Sequence, residues 1–450
     1  MDNKIKDVIP EALVIGAGIA GMQAALDIAD KGFKVHLVEK DPSIGGHMAQ
    51  LDKTFPTLDC SSCIITPKMV DTGTHSNIHL LTYSEVTEVK GCAGKFHVKV
   101  KKKATYVDYN RCTGCGECIE ACVLKKGVPS EFEMGIARRK AIYIPFPQAV
   151  PLKAVIDHTS CLFLSKGKCK KTCVQACNAE AIHFEQKEEM LELDVGSIIV
   201  ATGFDPFDPR LKPEFGYGIY PNVLHGLELE RLCSASGPTK GEILIQGKKP
   251  KEVVFIHCVG SRDKTVGNEY CSRVCCMVTA KQAHLLRDKI PDAHITVLYM
   301  DVRAFGKGFE EFYERVQKEH VIYRRANPSE VYRKNGKLMV RGEDTLLGEP
   351  FELDADLVVL AGGLTPRKED DLLKEMLGLE KSKDGFYAEA PGLDPILTGV
   401  EGIFLAGCCQ GPKDIPDSVA QASGAASLAC ALLAKGRTGG NSNNQIPSSK

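Results

Sequence analysis

Residues 12–21 read Ala12-Leu13-Val14-Ile15-Gly16-Ala17-Gly18-Ile19-Ala20-Gly21, and this stretch decides the fold class. The apolar strand Ala12 to Ile15 runs straight into G-x-G-x-x-G. A helical pattern follows from Met22 to Lys31, and a second strand, Lys34 to Val38, ends at Glu39. In that context each glycine has a reason. Gly16 permits the tight turn, Gly18 lets backbone approach a pyrophosphate, and Gly21 allows close packing of the helix. The helix N-terminus favours the anion, and Glu39 sits where it accepts from ribose hydroxyls, with Lys40 beside it. A Gly-rich turn on its own would carry none of these flanks, so a dinucleotide site is expected here.

Outward from this unit, Pro42-Ser43-Ile44-Gly45-Gly46-His47 supplies a second glycine pair that brings backbone toward the same ligand. Strand Ser197 to Val200 leads into Ala201-Thr202-Gly203, and strand Ile403 to Ala406 leads into Gly407. Such recurring strand-to-glycine turns resemble the thioredoxin reductase-like flavoproteins with two dinucleotide domains, in which the first fingerprint holds FAD. That resemblance implies FAD as the ligand, held by Gly45, Gly46, His47, Ala201, Thr202, Gly203, Gly407, Asp414 and Ile415 in addition to the fingerprint.

Between these pieces lies Arg111-Cys112-Thr113-Gly114-Cys115-Gly116-Glu117-Cys118-Ile119-Glu120-Ala121-Cys122. Its C-x2-C-x2-C-x3-C spacing suits thiolate ligation of a 4Fe-4S cluster better than the paired knuckles of a zinc site. Cys161, Cys169, Cys173 and Cys177 form a second set. In a bacterial-type two-cluster ferredoxin module the fourth Cys of each run ligates the other cluster. Cys112, Cys115, Cys118 and Cys177 would then hold one cluster, and Cys161, Cys169, Cys173 and Cys122 the other. The second run departs from the usual spacing, most of all at Cys161, and Val123 and Asn178 stand where Pro usually follows.

The chain has 450 residues, 43% of them apolar, enough for two or three domains. Against 58 acidic residues stand 57 Lys and Arg, a net charge of -1, which removes any whole-molecule electrostatic case for nucleic acid or an anionic membrane. No run approaches the apolar length of a membrane span, and Met1-Asp2-Asn3-Lys4-Ile5-Lys6-Asp7 lacks a signal-peptide core, so a cytoplasmic protein is expected. In that compartment 19 cysteines argue for metal or redox chemistry rather than disulfides.

The expected class is α/β, a two-dinucleotide-domain flavoprotein with an inserted α+β ferredoxin domain. The FAD-binding domain is assigned to 1–104, 189–249 and 349–435, the ferredoxin insertion to 105–188, a degenerate NAD-type domain to 250–348, and a disordered Gly, Ser and Asn-rich tail to 436–450. Residues 78–107 alternate as strands, with Lys101-Lys102-Lys103 read as a solvated strand edge. In the second nucleotide domain, strand Val253 to Ile256 ends in His257-Cys258-Val259-Gly260-Ser261, which lacks the fingerprint and argues against a pyridine nucleotide. Cys258, Cys271, Cys275 and Cys276 stand there in no standard metal spacing. From the residues alone a cluster and buried helix thiols are both open. Cys92, Cys233, Cys408, Cys409 and Cys430 read as packed thiols.

Further stretches carry a narrower resemblance: Phe55-Pro56-Thr57-Leu58-Asp59-Cys60-Ser61-Ser62-Cys63, Arg139 through Pro151, Cys258 through Asp263, Tyr270 through Cys276 with Lys281, and Gly411 through Asp417. Together they resemble the A subunit of heterodisulfide reductase, an iron-sulfur flavoprotein of methanogens and other anaerobes. The resemblance implies that Cys258, Cys271, Cys275 and Cys276 hold a third 4Fe-4S cluster beside the flavin, and that Lys281 lies near the isoalloxazine as a catalytic cation. Long members carry further N-terminal and C-terminal domains, whereas this chain starts at the fingerprint. On that reading a further cluster at Cys60 and Cys63 would need ligands from a partner subunit.

The implied function is electron transfer within a heterodisulfide reductase-like complex, converting two-electron to one-electron chemistry, with electron bifurcation as one use of the wiring. The implied partners are the other subunits of that complex, together with ferredoxin or another carrier docking at Lys166, Lys168, Lys170 and Lys171. The alternatives are the same wiring in a quinone-linked or acyl-CoA reductase complex, and a non-catalytic redox scaffold or sensor.

Overall fold

The computed structural model describes residues 8–392 and 394–438. In chain order β1 (Glu11–Ile15), α1 (Ile19–Asp30), β2 (Lys34–Val38), α2 (Ser61–Thr74) and β3 (Ile78–Leu81) come first, followed by β4 (Ser84–Cys92) and β5 (Lys95–Lys102). After residues 105–188 the chain returns through β6 (Glu189–Val195) and β7 (Ser197–Val200). Next come β8 (Val223–His225), α3 (Gly226–Cys233), β9 (Glu252–Val259), α4 (Cys275–Lys289), β10 (His294–Tyr299) and α5 (Phe309–Lys318). They are followed by β11 (Val321–Lys334), β12 (Lys337–Asp344), β13 (Glu349–Ala355), β14 (Leu357–Gly362), α6 (Asp370–Leu377), β15 (Ile403–Leu405) and α7 (Ile415–Thr438).

The first sheet has the order β15-β7-β1-β2-β3, all parallel. Its strands are near-continuous apolar runs because both faces are covered. Ala12 and Val14 face the α1 and α7 side, while Leu13 and Ile15 share a core with Phe96, Val98 and Val100 of β5. Helix α7 lies along α1 with Ala422, Ala425, Ala426 and Ala429 in that interface, small side chains that let the two backbones approach. The antiparallel sheet β6-β5-β4 caps the other face. Since β5 is its central strand, Lys101 to Lys103 are not on an edge. They are half-buried, and Lys103 pairs with Glu85.

Residues 105–188 leave from β5 and return into its antiparallel neighbour β6, with Lys102 opposite Glu189. The two ends of the insertion are tied together, Asp108 N–H donating to Ala181 O at 2.7 Å and His183 N–H to Tyr106 O at 3.0 Å. The second large sheet, β8-β14-β9-β10-β11-β12-β13, is parallel as far as β11 and antiparallel beyond it.

Helix α7 extends to Thr438, so residues 436–438 belong to a helix and not to the expected tail; 439–450 lie outside the described residues. Gly436 has a packing reason, since a Cβ there would come within 2.1 Å of Val8 O. Cys92 is exposed rather than packed. No helix among the described residues is long and apolar enough to cross a membrane.

Candidate functional site

A cavity of about 910 Å³ opens between the carboxyl ends of the two parallel sheets. On the first-sheet side it is lined by Gly16, Gly18, Glu39, Lys40, Gly46, His47, Ala201, Thr202 and Gly203, with Asp414 and Ile415 at the start of α7. Gly21, Gly45 and Gly407 stand behind this wall. A Cβ at Gly21 would come within 1.8 Å of Gly16 O, so its role is the close seating of α1 under the turn. At Gly18 a Cβ would meet nothing within 4 Å, while Gly46, at φ +55°, comes up against the Gly18 α-carbon. Two bare backbone segments thus flank open space at a helix N-terminus, which suits a pyrophosphate.

Glu39 is buried, its carboxylate accepting from Ala17 N–H at 2.7 Å and Asp41 N–H at 3.0 Å. Burial, reinforced by Asp41, pushes its carboxyl up to about 7. Lys40 meets Glu369 at 2.6 Å. His47 bridges Gln50 Oε1 at 2.6 Å and Phe204 O at 3.1 Å, fixing its ring in the wall.

The second sheet contributes His225, Glu230, Cys275, Gln282 and Gly362 to the same cavity, and the insertion contributes Phe132, Arg139, Tyr143 and Phe146. Sequence reasoning named Cys275 alone of these as a site residue. Arg367, whose guanidinium donates to Thr202 O at 2.9 Å, also lines the cavity and carries no local signal.

Lys281 is 1% exposed and is not among the lining residues. Its ammonium meets Glu230 at 2.8 Å and donates to Lys53 O at 2.8 Å. The residue that faces the cavity is Glu230, also 1% exposed, which accepts from Gln282 Nε2 at 2.7 Å and Asp52 N–H at 3.1 Å. The expected cation beside the ligand is therefore placed one step back, behind a carboxylate.

The insertion draws its cysteines into two crossed sets. Burial pushes the Cys118 thiol up to about 12, helped by Cys112, Cys177, Cys115 and, least, Cys173 of the other run. Cys173 is pushed up to about 11 by burial and then by Cys122, Cys161 and, less, Cys169. Cys177 thus neighbours the first run and Cys122 the second. A hydrogen bond from Thr172 Oγ1 to Ala121 O ties the two runs together.

The third set gathers where β9 ends and α4 begins. Burial raises the Cys275 thiol well above its ordinary range, with Cys258, Cys276 and Cys271 adding to it. Helix α4 starts at Cys275, which puts both adjacent cysteines in its first turn. Cys258 (φ +58°), Arg262 (φ +56°) and Arg273 (φ +62°) all adopt left-handed backbone around the set, a concentration of strain typical of functional sites. The turn after β9 has no cradle, because Phe207 packs directly on Gly260.

Among the described residues no three His, Cys, Asp or Glu side chains converge as ligands of one metal ion. The thiols of a cubane bind four separate irons instead of one point, and ligation deprotonates thiols that burial otherwise keeps neutral. Three sets of four thiols, none in a disulfide, fit that chemistry. Cys60 and Cys63 stand together at the start of α2 with their sulfurs paired to each other.

Residues 11–50 match the FAD binding domain family, 105–122 the 4Fe-4S binding domain family, and 122–426 the pyridine nucleotide-disulphide oxidoreductase family. The chain is 55% identical over 431 residues to the A subunit of the H(2):CoB-CoM heterodisulfide,ferredoxin reductase of Methanothermobacter marburgensis, covering 95% of this chain and 64% of that protein. It is 45% identical to a protein of Archaeoglobus profundus that is itself described as like the heterodisulfide reductase A subunit, covering 97% of this chain and 68% of that one. In fold it is similar to thioredoxin reductase of Lactococcus lactis (TM-score 0.52, 15% identity, 95% of this chain and 100% of that one) and of T. acidophilum (0.51, 15%, 94% and 99%).

Proposed function

The chain belongs to the family of the heterodisulfide reductase A subunit, and we propose that it is the FAD- and iron-sulfur-bearing electron-transfer subunit of a heterodisulfide reductase-like complex in the cytoplasm. It spans 64% of the length of the Methanothermobacter relative, so the activity is assigned from its own residues. The observation that carries the assignment is Cys275, a member of the third thiol set that also lines the dinucleotide cavity. A cluster held there would adjoin a flavin held in the cavity.

FAD exchanges electrons in pairs or singly, and each cubane carries one. Gly16, Gly18 and the α1 N-terminus would hold the pyrophosphate, and Glu39 would accept from the ribose. Phe132, Tyr143 and Phe146 of the insertion give the cavity an aromatic wall. Lys281 keeps Glu230 paired at the cavity wall, which makes it a positioning residue rather than a catalytic one. The crossed sets would hold two clusters, with Cys161 among their ligands. Lys166, Lys168 and Lys170 stand exposed beside the second set, and Lys171 is turned onto Phe163 at 3.9 Å. Three exposed ammonium groups there suit an acidic one-electron carrier. The Methanothermobacter relative is named for both a heterodisulfide and ferredoxin, so we assign a ferredoxin-type carrier to this loop and the disulfide chemistry to partner subunits.

Iron per flavin in anaerobically purified protein tests the reading. About twelve irons are expected, and about eight after Cys258→Ala. Eight in the parent, unchanged by the substitution, would leave the third set as inert thiols and refute a cluster beside the flavin.

A further inference from the structure

We propose that His257 is a positioning residue acting through Cys276, its Nδ1–H donating to the Cys276 sulfur and raising the reduction potential of the cluster held by the third thiol set. The inference rests on the reading that Cys258, Cys271, Cys275 and Cys276 hold a 4Fe-4S cluster.

His257 and Cys258 are consecutive in β9, and in a regular strand their side chains would leave on opposite faces. The register of β9 against β14 shifts between Ile256 and Val259, an irregularity that falls on these two residues. Cys258 takes left-handed backbone there, at φ +58°. Both side chains thereby reach one set. Burial raises the Cys258 thiol, with Cys276 and, less, Cys271 adding to it. His257 Nδ1 stands 4.0 Å from the Cys276 sulfur, and both residues are buried.

Ligation sets the direction of that hydrogen bond. As a free thiol, Cys276 can donate to Asp301 O, 3.9 Å away. As a cluster ligand its sulfur has no proton and only accepts. The Asp301 carbonyl then has nothing to offer it, whereas the imidazole can carry its proton on Nδ1. No hydrogen-bond partner at Nε2 holds the proton on the other nitrogen. A charged ring would donate from Nδ1 as well, so the bond does not depend on the ring's protonation state. The Arg303 backbone N–H adds a second donor to the Cys276 sulfur, and Arg273 N–H donates to the Cys271 sulfur at 3.3 Å. Of these three donors only His257 is a side chain, so it is the one a substitution can remove. Reduction adds negative charge to the cluster and its thiolates, and a donor on a sulfur stabilises the reduced form more than the oxidised one.

Leu and Asn have nearly the same shape and differ at the tip, where Asn alone can place an N–H near the Nδ1 position. His257→Leu and His257→Asn therefore test the proton apart from the packing. The full chain with its cofactors is purified anaerobically, its iron is counted, and its clusters are titrated by electron paramagnetic resonance. Signals absent from Cys258→Ala belong to the third set. For His257→Leu we expect about twelve irons, unchanged signals from the insertion, and a third-set midpoint more negative by about 59 mV, the equivalent of a tenfold change in the ratio of oxidised to reduced cluster. For His257→Asn we expect that ratio to stay within about threefold of the parent. An unshifted midpoint in the Leu variant, or equal shifts in both variants, overturns the inference. If the Leu variant falls to about eight irons, the Asn variant decides: about twelve irons supports the donor and about eight overturns it. A parent with about eight irons and no signal that Cys258→Ala removes overturns the reading beneath it as well.

Discussion

Replacing Lys281 by Met removes the cation from a pair that the fold has withdrawn from water. Both members are 1% exposed, and the ammonium is held at 2.8 Å from Glu230 and 2.8 Å from Lys53 O. Breaking such a pair from one side leaves a buried charge without compensation and costs about 3–5 kcal/mol, against about 0–1 for a pair at the surface. Glu230 keeps its donors from Gln282 and Asp52, so the lower part of the range, about 3 kcal/mol, is expected in urea unfolding followed by circular dichroism. The double variant Glu230→Gln with Lys281→Met has no charge to strand and should recover most of that loss. A second readout locates the pair at the flavin. The single variant leaves an uncompensated negative charge on the cavity wall, which opposes electron addition, so the flavin midpoint potential should move negative and return in the double variant. A Lys281→Met protein as stable as the parent, or a double variant no more stable than the single, would refute the view that this pair organises the wall.

The crossed thiol sets predict an iron count that the order of the cysteines in the chain does not. Cys112 and Cys177 share one set, so replacing both by Ala should cost about four irons, no more than either alone, whereas Cys161 with Cys177 should cost about eight. About eight irons lost from the first pair and about four from the second would mean that the fourth cysteines stay with their own runs. Glu39 predicts a pH dependence. Its carboxyl stands at about 7 in the ligand-free chain against an ordinary 4.5, so its contribution to stability is full below 4.5 and is lost as pH rises through about 7. Ribose hydroxyls that donate to it favour the charged form. FAD affinity should therefore climb with pH up to about 7 and then level off, and Glu39→Gln should flatten the climb in titrations across that range.

How much of this was legible in the sequence depended on how local the physics is. The first nucleotide unit was readable nearly to the residue because G-x-G-x-x-G, its strands and its acid constrain one another within thirty residues or so. Strands β2 and β7 were readable in the same way. That Cys177 lies near Cys118 and Cys122 near Cys173 is the proximity that the two-run spacing led one to expect. What failed was partnership across distance. Helical periodicity brings Lys281 to a buried face but does not say that the carboxylate waiting there is Glu230, far earlier in the chain. Alternation in β5 reads the same for an edge and a centre, and β6, the strand that covers it, arrives only after the whole insertion. The Gly-rich end suggested a tail until Gly436 was seen to be where α7 touches Val8.

The insertion has to be held rigidly if its thiol sets are to keep one distance from the cavity, and its surface ion pairs cannot do this. Arg111 with Glu180, for example, is solvent-exposed and worth about 0–1 kcal/mol. The buried contacts can. Arg231, 1% exposed, takes Glu133 at 3.0 Å, donates to Gln50 O at 3.1 Å and lies over the Phe132 ring at 4.7 Å. Phe132 stacks on Phe146 at 4.3 Å, and both rings line the cavity. Ser43, beside the second glycine pair, binds Val150 from both sides: Val150 N–H donates to its hydroxyl at 2.9 Å, and the hydroxyl approaches Val150 O at 3.2 Å. One guanidinium therefore joins α3 of the second sheet, the backbone of the first unit and the insertion. The same aromatic pair that lines the cavity is the insertion's own anchor, so Phe132→Ala should lower the melting temperature and loosen the thiol sets together, read as faster iron loss to a chelator; unchanged iron retention in a destabilised variant would refute the link.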